Sequence, residues 1–217
     1  FIKIPKIYQP DKILTSGIVN YKILKKHLLN TYIIGSSRYM KNNKKLNKFE
    51  KTCLVLPEGI DSECKILLKF VLDCISKNLS IKFIIRFHPL TNISKIIDRN
   101  LKSKLKKNSK NIEISLRSLP HDLNRSSMCL YRGSTSAITA SQSGLIPIYL
   151  NLKNTLNIDP MFQINKEGRY VQNCKEFINL ITKSKKNKQK VLKKIQKFSK
   201  NYFVRFNNKI LEKILNH

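Results

Sequence analysis

Acidic side chains are scarce in this 217-residue sequence, which has 13 Asp and Glu residues against 43 Lys and Arg residues. The formal net charge of +30 is expected to attract polyanions, including nucleic acid, anionic lipid headgroups and nucleotide phosphates. Nearly all of the basic excess is lysine, and it accompanies many isoleucine and asparagine residues, a mix that A/T-rich coding produces without selection for binding. Phenylalanine and tyrosine also stand inside apolar runs and do not alternate with lysine as base-stacking platforms do. The composition therefore disfavours nucleic acid as the partner, while charge alone leaves a basic nucleic-acid-binding module as an alternative.

Long hydrophobic runs are also absent. The longest, such as "KILLKFVLDCI", are interrupted by charges well before the roughly 20 residues that a membrane-spanning helix needs. The sequence therefore predicts no transmembrane helix, and it shows no signal peptide. With 41% hydrophobic and 8% aromatic residues, it is typical of a globular α/β protein rather than a disordered one.

Cysteine is present, but not in the patterns that carry chemistry. The cysteines are odd in number and widely spaced, and no two of them form a C-x-x-C pair. This pattern argues against a zinc site and against a disulfide framework. We expect reduced thiols that pack as small hydrophobic groups, and a cytoplasmic protein is the simplest interpretation. The five residues are Cys53, Cys64, Cys74, Cys129 and Cys174.

The common nucleotide and hydrolase motifs are missing as well. The sequence has no G-x-x-x-x-G-K-[ST], G-x-G-x-x-G or G-x-S-x-G stretch, which removes the usual support for a P-loop NTPase, a Rossmann dehydrogenase and an α/β-hydrolase. No H-E-x-x-H or other metal-ligand spacing occurs. We therefore expect neither a metal nor another cofactor.

Five short apolar runs alternate with helical patterns after Thr52. The runs predict strands at "TCLVLP", "IKFIIRF", "NIEIS", "MCLY" and "IPIYL". Helices are predicted between them, including one over "NISKIIDRNLKSKL" and one over "STSAITASQSG" that ends at Gly144. Another follows Gly59, and Asp61 or Ser62 is expected to cap it. Near-continuous apolar strands alternating with helices predict a Rossmann-like α/β fold, a parallel sheet with helices on both faces.

A change of composition predicts a domain boundary before this region. Residues 1–40 have the pattern of the last part of another α/β domain, with strand-like "KILTSG" and "YIIGSSRY" on either side of a helix. The polar, basic stretch at 41–51 is predicted to be a linker, residues 52–200 the main domain, and residues 201–217 a C-terminal helix. Because the sequence starts at Phe1 rather than Met, a fragment of a longer protein is an open expectation.

Polar groups follow the first two strands of the main domain, at the edge where open parallel sheets bind ligands. After the first strand, Glu58 and Gly59 either bring the backbone and a helix N-terminus close to a phosphate or form a plain turn. After the second, Pro89 forces a turn, and His88 either donates a hydrogen bond to a phosphate or caps the next helix. Arg86 either makes a forked, charge-assisted hydrogen-bonded pair with the phosphate or pairs with a carboxylate. The scarcity of acidic residues disfavours the carboxylate pairing.

The third polar group lies in "YRGSTSAITASQSG", where Arg132 and Gly133 precede three hydroxyl residues at a helix start. Together with the free N–H groups and the dipole at the start of this helix, the hydroxyl groups of Ser134, Thr135 and Ser136 predict an anion site. A capping role needs only one hydroxyl group, so three in succession favour a ligand site.

These motifs together resemble a known architecture. A strand ending in "RFHP", followed by "YRGSTSAITASQSGLIPIYL", resembles the C-terminal, nucleotide-sugar-binding half of bacterial glycosyltransferases of the GT-B type. The similarity is greatest to enzymes of surface carbohydrate and capsular polysaccharide synthesis, including sialyltransferase-like and polyol-phosphate-transferase-like groups with HP and SS/ST motifs. The earlier "PDKILTSG…YIIGSSRY" looks like the last βα unit of the N-terminal domain in that architecture, so the resemblance spans most of the chain.

The resemblance implies a role for each matching residue. His88, with Pro89 shaping the turn, would contact the donor nucleotide and its phosphate. Residues 134–136 would hold the donor phosphate or a sugar carboxylate, and Glu58 and Gly59 would lie at the cleft floor by the phosphates. No catalytic base is assigned, because in such enzymes it comes from the N-terminal domain, most of which is missing from this sequence.

The function that the resemblance implies is transfer of a sugar from a nucleotide-activated donor to a glycan or lipid-linked acceptor in cell-surface polysaccharide synthesis, with no metal required. A polyol-phosphate transferase or a nucleotide-sugar epimerase of the same architecture is the alternative. The basic surface is expected to hold the protein peripherally against an anionic membrane face, where such an acceptor is presented.

Overall fold

The computed structural model describes residues 5–27, 30–39, 51–77, 80–182 and 185–216. The chain divides into two compact units, one comprising Phe1–Met40 with Lys197–His217 and the other Lys41–Gln196. Nearly all of the predicted linker, residues 41–50, lies outside the described residues.

Eight strands and nine helices are found in the described part of the chain. The strands are β1 Ile13–Thr15, β2 Thr31–Ile33, β3 Thr52–Leu56, β4 Lys82–Ile85, β5 Ile112–Ile114, β6 Met128–Tyr131, β7 Ile146–Leu150 and β8 Tyr170–Val171. The helices are α1 Ile18–Lys25, α2 Asp61–Ser76, α3 Ile93–Ile96, α4 Arg99–Lys107, α5 Leu119–Asn124, α6 Ser136–Gln142, α7 Cys174–Thr182, α8 Lys185–Tyr202 and α9 Asn208–Leu215. None of them, within the described residues, is long and apolar enough to cross a membrane.

The larger unit is built on a six-stranded sheet with the order β5-β4-β3-β6-β7-β8, in which every neighbouring pair is parallel. The chain runs outward from β3 to β5 and then returns to β6 on the other side of β3. All five β3 residues are buried, as expected for a strand covered on both faces. The predicted α/β fold is therefore confirmed, and the strand order reverses between β3 and β6.

The core of this unit lies where α2 and α7 pack on the sheet. Phe177 of α7 makes an edge-to-face contact with Phe70 of α2 at a centroid distance of 5.8 Å, and a tilted contact with Phe83 of β4 at 6.1 Å. All five cysteines are free and buried, and burial raises the pKa of the Cys53 and Cys129 thiols. These thiols therefore pack as the small hydrophobic groups that the sequence predicts.

Several element boundaries differ from the sequence prediction. The single helix predicted over "NISKIIDRNLKSKL" is two helices, because the Asp98 carboxylate accepts a hydrogen bond from the Leu101 N–H at 2.7 Å and caps α4. The predicted cap of α2 by Asp61 or Ser62 is wrong, since Ile60 is the N-cap residue and makes no side-chain cap. Gly144 does end α6, with a left-handed φ of 90°.

The smaller unit contains the parallel pair β1 and β2, with α1 between them along the chain. Its two glycines, Gly17 and Gly35, lie against the backbone of residues 201–206, where an added Cβ would overlap carbonyl groups. The Ser36 N–H donates to the Val204 carbonyl at 2.9 Å. The C-terminal segment thus belongs to the same unit as the N-terminal βα segment.

Candidate functional site

The carboxyl ends of β3 and β6 lie side by side, with Leu56 paired in register with Tyr131. The chain leaves β3 through Glu58 and Gly59, and leaves β6 through Arg132 and Gly133. Because the strand order reverses between these two strands, their ends form the crevice at which open α/β sheets bind ligands. We refer to residues 57–59, 88–89 and 132–136 as the switch-point site.

Glu58 and Gly133 touch across this crevice. A Cβ added to Gly133 would overlap the Glu58 carboxylate, with Cδ only 2.6 Å away. The carboxylate is half-buried, and this burial raises the pKa of Glu58 above its ordinary value. The Glu63 carboxylate raises that pKa further, and the Arg132 guanidinium opposes the change. Glu58 is therefore a carboxyl group whose charged form is less favoured than in water.

His88 lies beside Gly59, where a Cβ would come within 3.4 Å of its Nδ1 atom. His88 is exposed, and its Nδ1 accepts a hydrogen bond from the Leu90 N–H at 3.2 Å. In the neutral ring the proton is therefore on Nε2, which leaves that atom as a donor. The N-cap residue of α3 is Asn92, so His88 does not cap the next helix.

Pro89 occupies the turn that places the His88 ring. The Thr91 N–H donates to the His88 carbonyl at 2.9 Å, so residues 88–91 form a four-residue turn with Pro89 in its second position. Proline is favoured there because its ring fixes φ near the value that the turn requires.

The three hydroxyl residues stand at the start of α6 and are half-buried. Thr135 is the N-cap residue, and its side chain makes no capping hydrogen bond to this helix. The backbone carbonyls of Ser134 and Thr135 accept from the N–H groups of Ala137 and Ile138 at 3.2 and 3.0 Å. Capping therefore does not explain the succession of hydroxyl groups, and their role as an anion site stays a prediction.

Arg132 is buried beneath the site, with 2% of its surface exposed. Its Nε pairs with the Glu63 carboxylate, and its Nη1 donates to the Leu150 carbonyl at 2.9 Å. The side chain therefore links the end of β6 to α2 and to the end of β7. Its predicted contact with a donor is not tested by this geometry.

The Arg86 side chain is paired with a carboxylate. Its Nη1 lies 3.3 Å from the fully buried side chain of Asp122 and also donates to the Arg117 carbonyl. Asp122 accepts further hydrogen bonds from Ser115 at 2.9 Å and from Arg125 at 2.9 Å. The structure thus shows Arg86 paired with a carboxylate, the alternative that the scarcity of acidic residues disfavours. The pairing is possible in a chain with few acidic residues because one buried aspartate serves two arginines.

Sequence reasoning missed a buried polar network next to the site. Arg169 has no exposed surface, and its Nη2 lies 2.6 Å from the equally buried Asp159 carboxylate. The Tyr131 hydroxyl donates to Asp159 at 2.9 Å and accepts from Arg169 at 2.9 Å, while the Tyr170 hydroxyl donates to Asp159 at 2.8 Å. Tyr131 is the residue before Arg132, so the network anchors segment 151–169 to the strand end that carries the site.

One sequence signal could have indicated this network. Tyr131 and Tyr149 both fall near the end of predicted strands, and a buried phenol needs a hydrogen-bond partner. The partners themselves, Asp159 and Arg169, come from a segment without periodicity and are brought together only by the fold.

Among the residues that the structure describes, no three His, Cys, Asp or Glu side chains are grouped closely enough to hold a metal ion.

Comparison with protein-family models gave no match. No curated protein matches the sequence either.

Solved structures do match. One is TarM of S. aureus in complex with fondaparinux, α-GlcNAc-glycerol and UDP, which has a TM-score of 0.57 and 14% identity, with 94% of this chain and 43% of TarM covered. A second is the wall teichoic acid polymerase TagF soaked with CDPG, which has a TM-score of 0.54 and 14% identity, with 88% of this chain and 51% of TagF covered. A third, of the accessory secretory proteins 1, 2 and 3 of Streptococcus pneumoniae, has a TM-score of 0.50 and 14% identity, with 95% of this chain and 42% of that chain covered.

The chain has the fold of these proteins. The parallel sheet with helices on both faces, expected from the resemblance to GT-B transferases, is confirmed over the matched part. This chain spans about half or less of the length of each of these three neighbours. At such low identity the likeness establishes the fold, and function must be argued from the site.

Proposed function

We propose that this chain is the donor-binding part of a glycosyltransferase that transfers a sugar from a nucleotide-activated donor in cell-surface polymer synthesis. The observation that carries the proposal is that His88 lies against Gly59, and Gly133 against the Glu58 carboxylate, at the point where the strand order reverses. Two glycines, which carry no side chain, and one exposed imidazole at this point suit a nucleotide phosphate. Two neighbours of the same fold, TarM in complex with UDP and TagF soaked with CDPG, support the same interpretation.

Rate enhancement is proposed to come from stabilising the charge that develops on the departing phosphate. The His88 Nε2–H donates to a phosphate oxygen, and the hydroxyl groups of residues 134–136 donate to the others. Half-burial of the three hydroxyl residues strengthens their hydrogen bonds relative to bulk water. Arg86 and Arg132 act indirectly in this proposal, through Asp122 and Glu63, by holding the strand ends that carry the site.

Transfer of a polyol phosphate is the second candidate function. Its support is the fold shared with the wall teichoic acid polymerase TagF, whose structure was soaked with CDPG. Both candidates place a nucleotide phosphate at the switch-point site and differ only in the group that is transferred. No observation favours the nucleotide-sugar epimerase alternative.

The acceptor is proposed to be a glycan or a lipid-linked chain presented at an anionic membrane face in the cytoplasm. The support is the net charge of +30, which attracts the protein to anionic lipid. Flotation with vesicles tests this part alone, since the protein should float with vesicles containing phosphatidylglycerol and remain behind with vesicles of phosphatidylcholine. Equal flotation with both would contradict it.

A donor panel tests the central proposal. UDP-, CDP-, CMP- and GDP-linked donors are titrated into the chain and into His88→Ala and Ser134→Ala, with His121→Ala as the control because His121 is also exposed. We expect one nucleotide class to bind, with affinity about tenfold or more weaker in His88→Ala because a hydrogen bond to a charged group is lost. His121→Ala and added EDTA should change nothing. Unchanged affinity in both site variants would overturn the site, and loss of binding with EDTA would require a metal.

A further inference from the structure

A second candidate binding region lies on one face of the larger unit, between α2 and the segment that forms α3 and α4. It is a groove of about 780 Å³. Buried Ile75 and Ile96 contribute to its lining, and so do half-buried Leu72 and Leu101. Four exposed lysines line it as well, two from each helix: Lys65, Lys69, Lys104 and Lys107. The residues of the switch-point site do not line this groove.

The lysines of this groove are available to an anion. No ion pair within 4 Å among the described residues engages any of them. Two carboxylates, those of Asp73 and Asp98, also line the groove, against the four lysines. The groove therefore carries more positive than negative charge.

The four lysines come as one pair from each of the two helices that form the groove. Lys65 and Lys69 are spaced i and i+4 on α2, and Lys104 and Lys107 are spaced i and i+3 on α4, so each pair lies on one helix face. From Lys65 to Ser76 the α2 wall of the groove is about 16 Å long at 1.5 Å per residue. A wall of this length is longer than a single phosphate, so a chain with repeated negative charges suits the groove better.

The lining of the groove suits some kinds of polyanion better than others. Its lining contains no aromatic side chain, so it lacks the stacking surfaces that single-stranded nucleic acids use. None of the large hydrophobic side chains exposed in the described residues belongs to α2 or α4, so neither helix has an anchor for a bilayer. The apolar lining suits the carbon faces of sugar rings.

We propose that this groove binds a linear anionic polysaccharide, as the growing chain that the transferase extends. The identification of that polymer as the acceptor rests on the proposed function. The groove also starts close to the site along the chain, since α2 begins at Asp61, two residues after Gly59. A chain that leaves the crevice can therefore follow α2 down this face of the sheet.

The test uses fluorescein-labelled oligogalacturonates of increasing length as the probe. The groove variant carries Lys65→Gln, Lys69→Gln, Lys104→Gln and Lys107→Gln. The control variant loses the same charge from α7 and α8, by Lys175→Gln, Lys193→Gln, Lys194→Gln and Lys197→Gln. We expect affinity to rise with probe length until the groove is filled and to fall about tenfold or more in the groove variant, with a much smaller loss in the control.

Parallel measurements separate this inference from the proposed function. Donor nucleotide should bind the groove variant normally, and His88→Ala should bind the oligogalacturonate normally. Polymer binding that maps to the groove without any nucleotide binding would support the groove and contradict the proposed function. Equal losses in the groove and control variants would overturn the groove, as would tighter groove-dependent binding of oligo(dT) or of phosphatidylglycerol vesicles.

Discussion

Gly133 is constrained by its neighbour rather than by its backbone angles. The glycines that adopt left-handed φ values are Gly35, Gly144 and Gly168, whereas Gly133 has no such value. What an added Cβ meets is the Glu58 carboxylate, the far end of a flexible side chain. Close approach, and not backbone conformation, is therefore the reason for a glycine at this position.

This contact predicts coupling between the two residues. We expect Gly133→Ala to lower the free energy of unfolding by on the order of 1 kcal/mol, because the Glu58 carboxylate must move to a less favourable place. In a Glu58→Ala background the same change should cost much less. Urea unfolding of the four proteins in the double-mutant cycle measures the difference, and strictly additive effects would show that the contact is not made.

Arg86 and Arg132 show where residue-level reasoning from sequence ends. The positions of Arg86 and Arg132 at strand ends were predictable, because each follows an apolar run directly. Their partners were not, since Asp122 lies 36 residues from Arg86 and Glu63 lies 69 residues from Arg132. Only the folded sheet brings these groups within bonding distance.

At the scale of elements, the edge strand β5 is tied to the rest of the sheet by charge. Glu113 of β5 pairs with Arg125 and, at 2.8 Å, with Lys82 of β4. The hydrogen bonds from Arg125 and then from Lys82, with their positive charges, lower the pKa of Glu113 to about 2. The charged form is therefore the one that the folded protein favours.

This pKa shift predicts an acid-dependent loss of stability. A carboxyl whose folded pKa is depressed stabilises the protein above its unfolded pKa of about 4.3, and the effect is lost as pH falls toward 2. We expect Glu113→Gln to cost up to about 1 kcal/mol at pH 7, because the pair is partly exposed. Urea unfolding at successive pH values measures it, with exposed Glu167→Gln as the control of equal charge. A Glu113→Gln deficit that persists unchanged to pH 2 would contradict the pairing.

The segment between β7 and β8 depends on its buried ion pair. Arg169 and Asp159 have no exposed surface, and Tyr170 adds a third partner. We expect Asp159→Ala to cost about 3–5 kcal/mol, because it leaves the arginine buried without its counter-ion. Tyr170→Phe, which removes one hydrogen bond, should cost about 1 kcal/mol. Urea unfolding ranks the two variants, and similar small costs for both would mean that the pair is solvated.

Strands and helices were predictable where the local sequence pattern was strong, and were missed or misplaced where it was weak. The bounds of β6 and β7 match the apolar runs "MCLY" and "IPIYL", because a strand buried on both faces is apolar throughout. The two-residue strand β8 gave no such signal, since its place in the sheet depends on segment 151–169 and on the Asp159 pair. The break between α3 and α4 depended on one capping aspartate inside a continuous helical pattern.

At the scale of the whole molecule, the sequence indicated two α/β units but not which segments complete them. The prediction set residues 201–217 apart as a C-terminal helix. In the structure, Lys197–His217 forms one unit with Phe1–Met40, through backbone contacts such as the isolated bridge between Ser36 and Arg205. Pairings between the two ends of a chain leave no local pattern in its sequence.

The order of strands in the larger unit is the other whole-molecule feature that matters for function. Alternation of strands and helices predicted a parallel sheet, but not the order β5-β4-β3-β6-β7-β8 that places the ends of β3 and β6 together. That order brings Glu58 to Gly133 and makes a crevice of residues that are far apart in sequence. The proposed function follows from this juxtaposition.

The location of the nucleotide tests the account most directly. An amide chemical-shift map of the isotope-labelled chain, recorded during titration with UDP and with CDP, reports which residues meet the ligand. We predict that the largest shifts fall on Gly59, His88 and Gly133 and on the first residues of α6, and that His88→Ala abolishes them at the same nucleotide concentration. Shifts confined to the α2–α4 groove, or no shifts with any nucleotide, would contradict a donor site at the switch point.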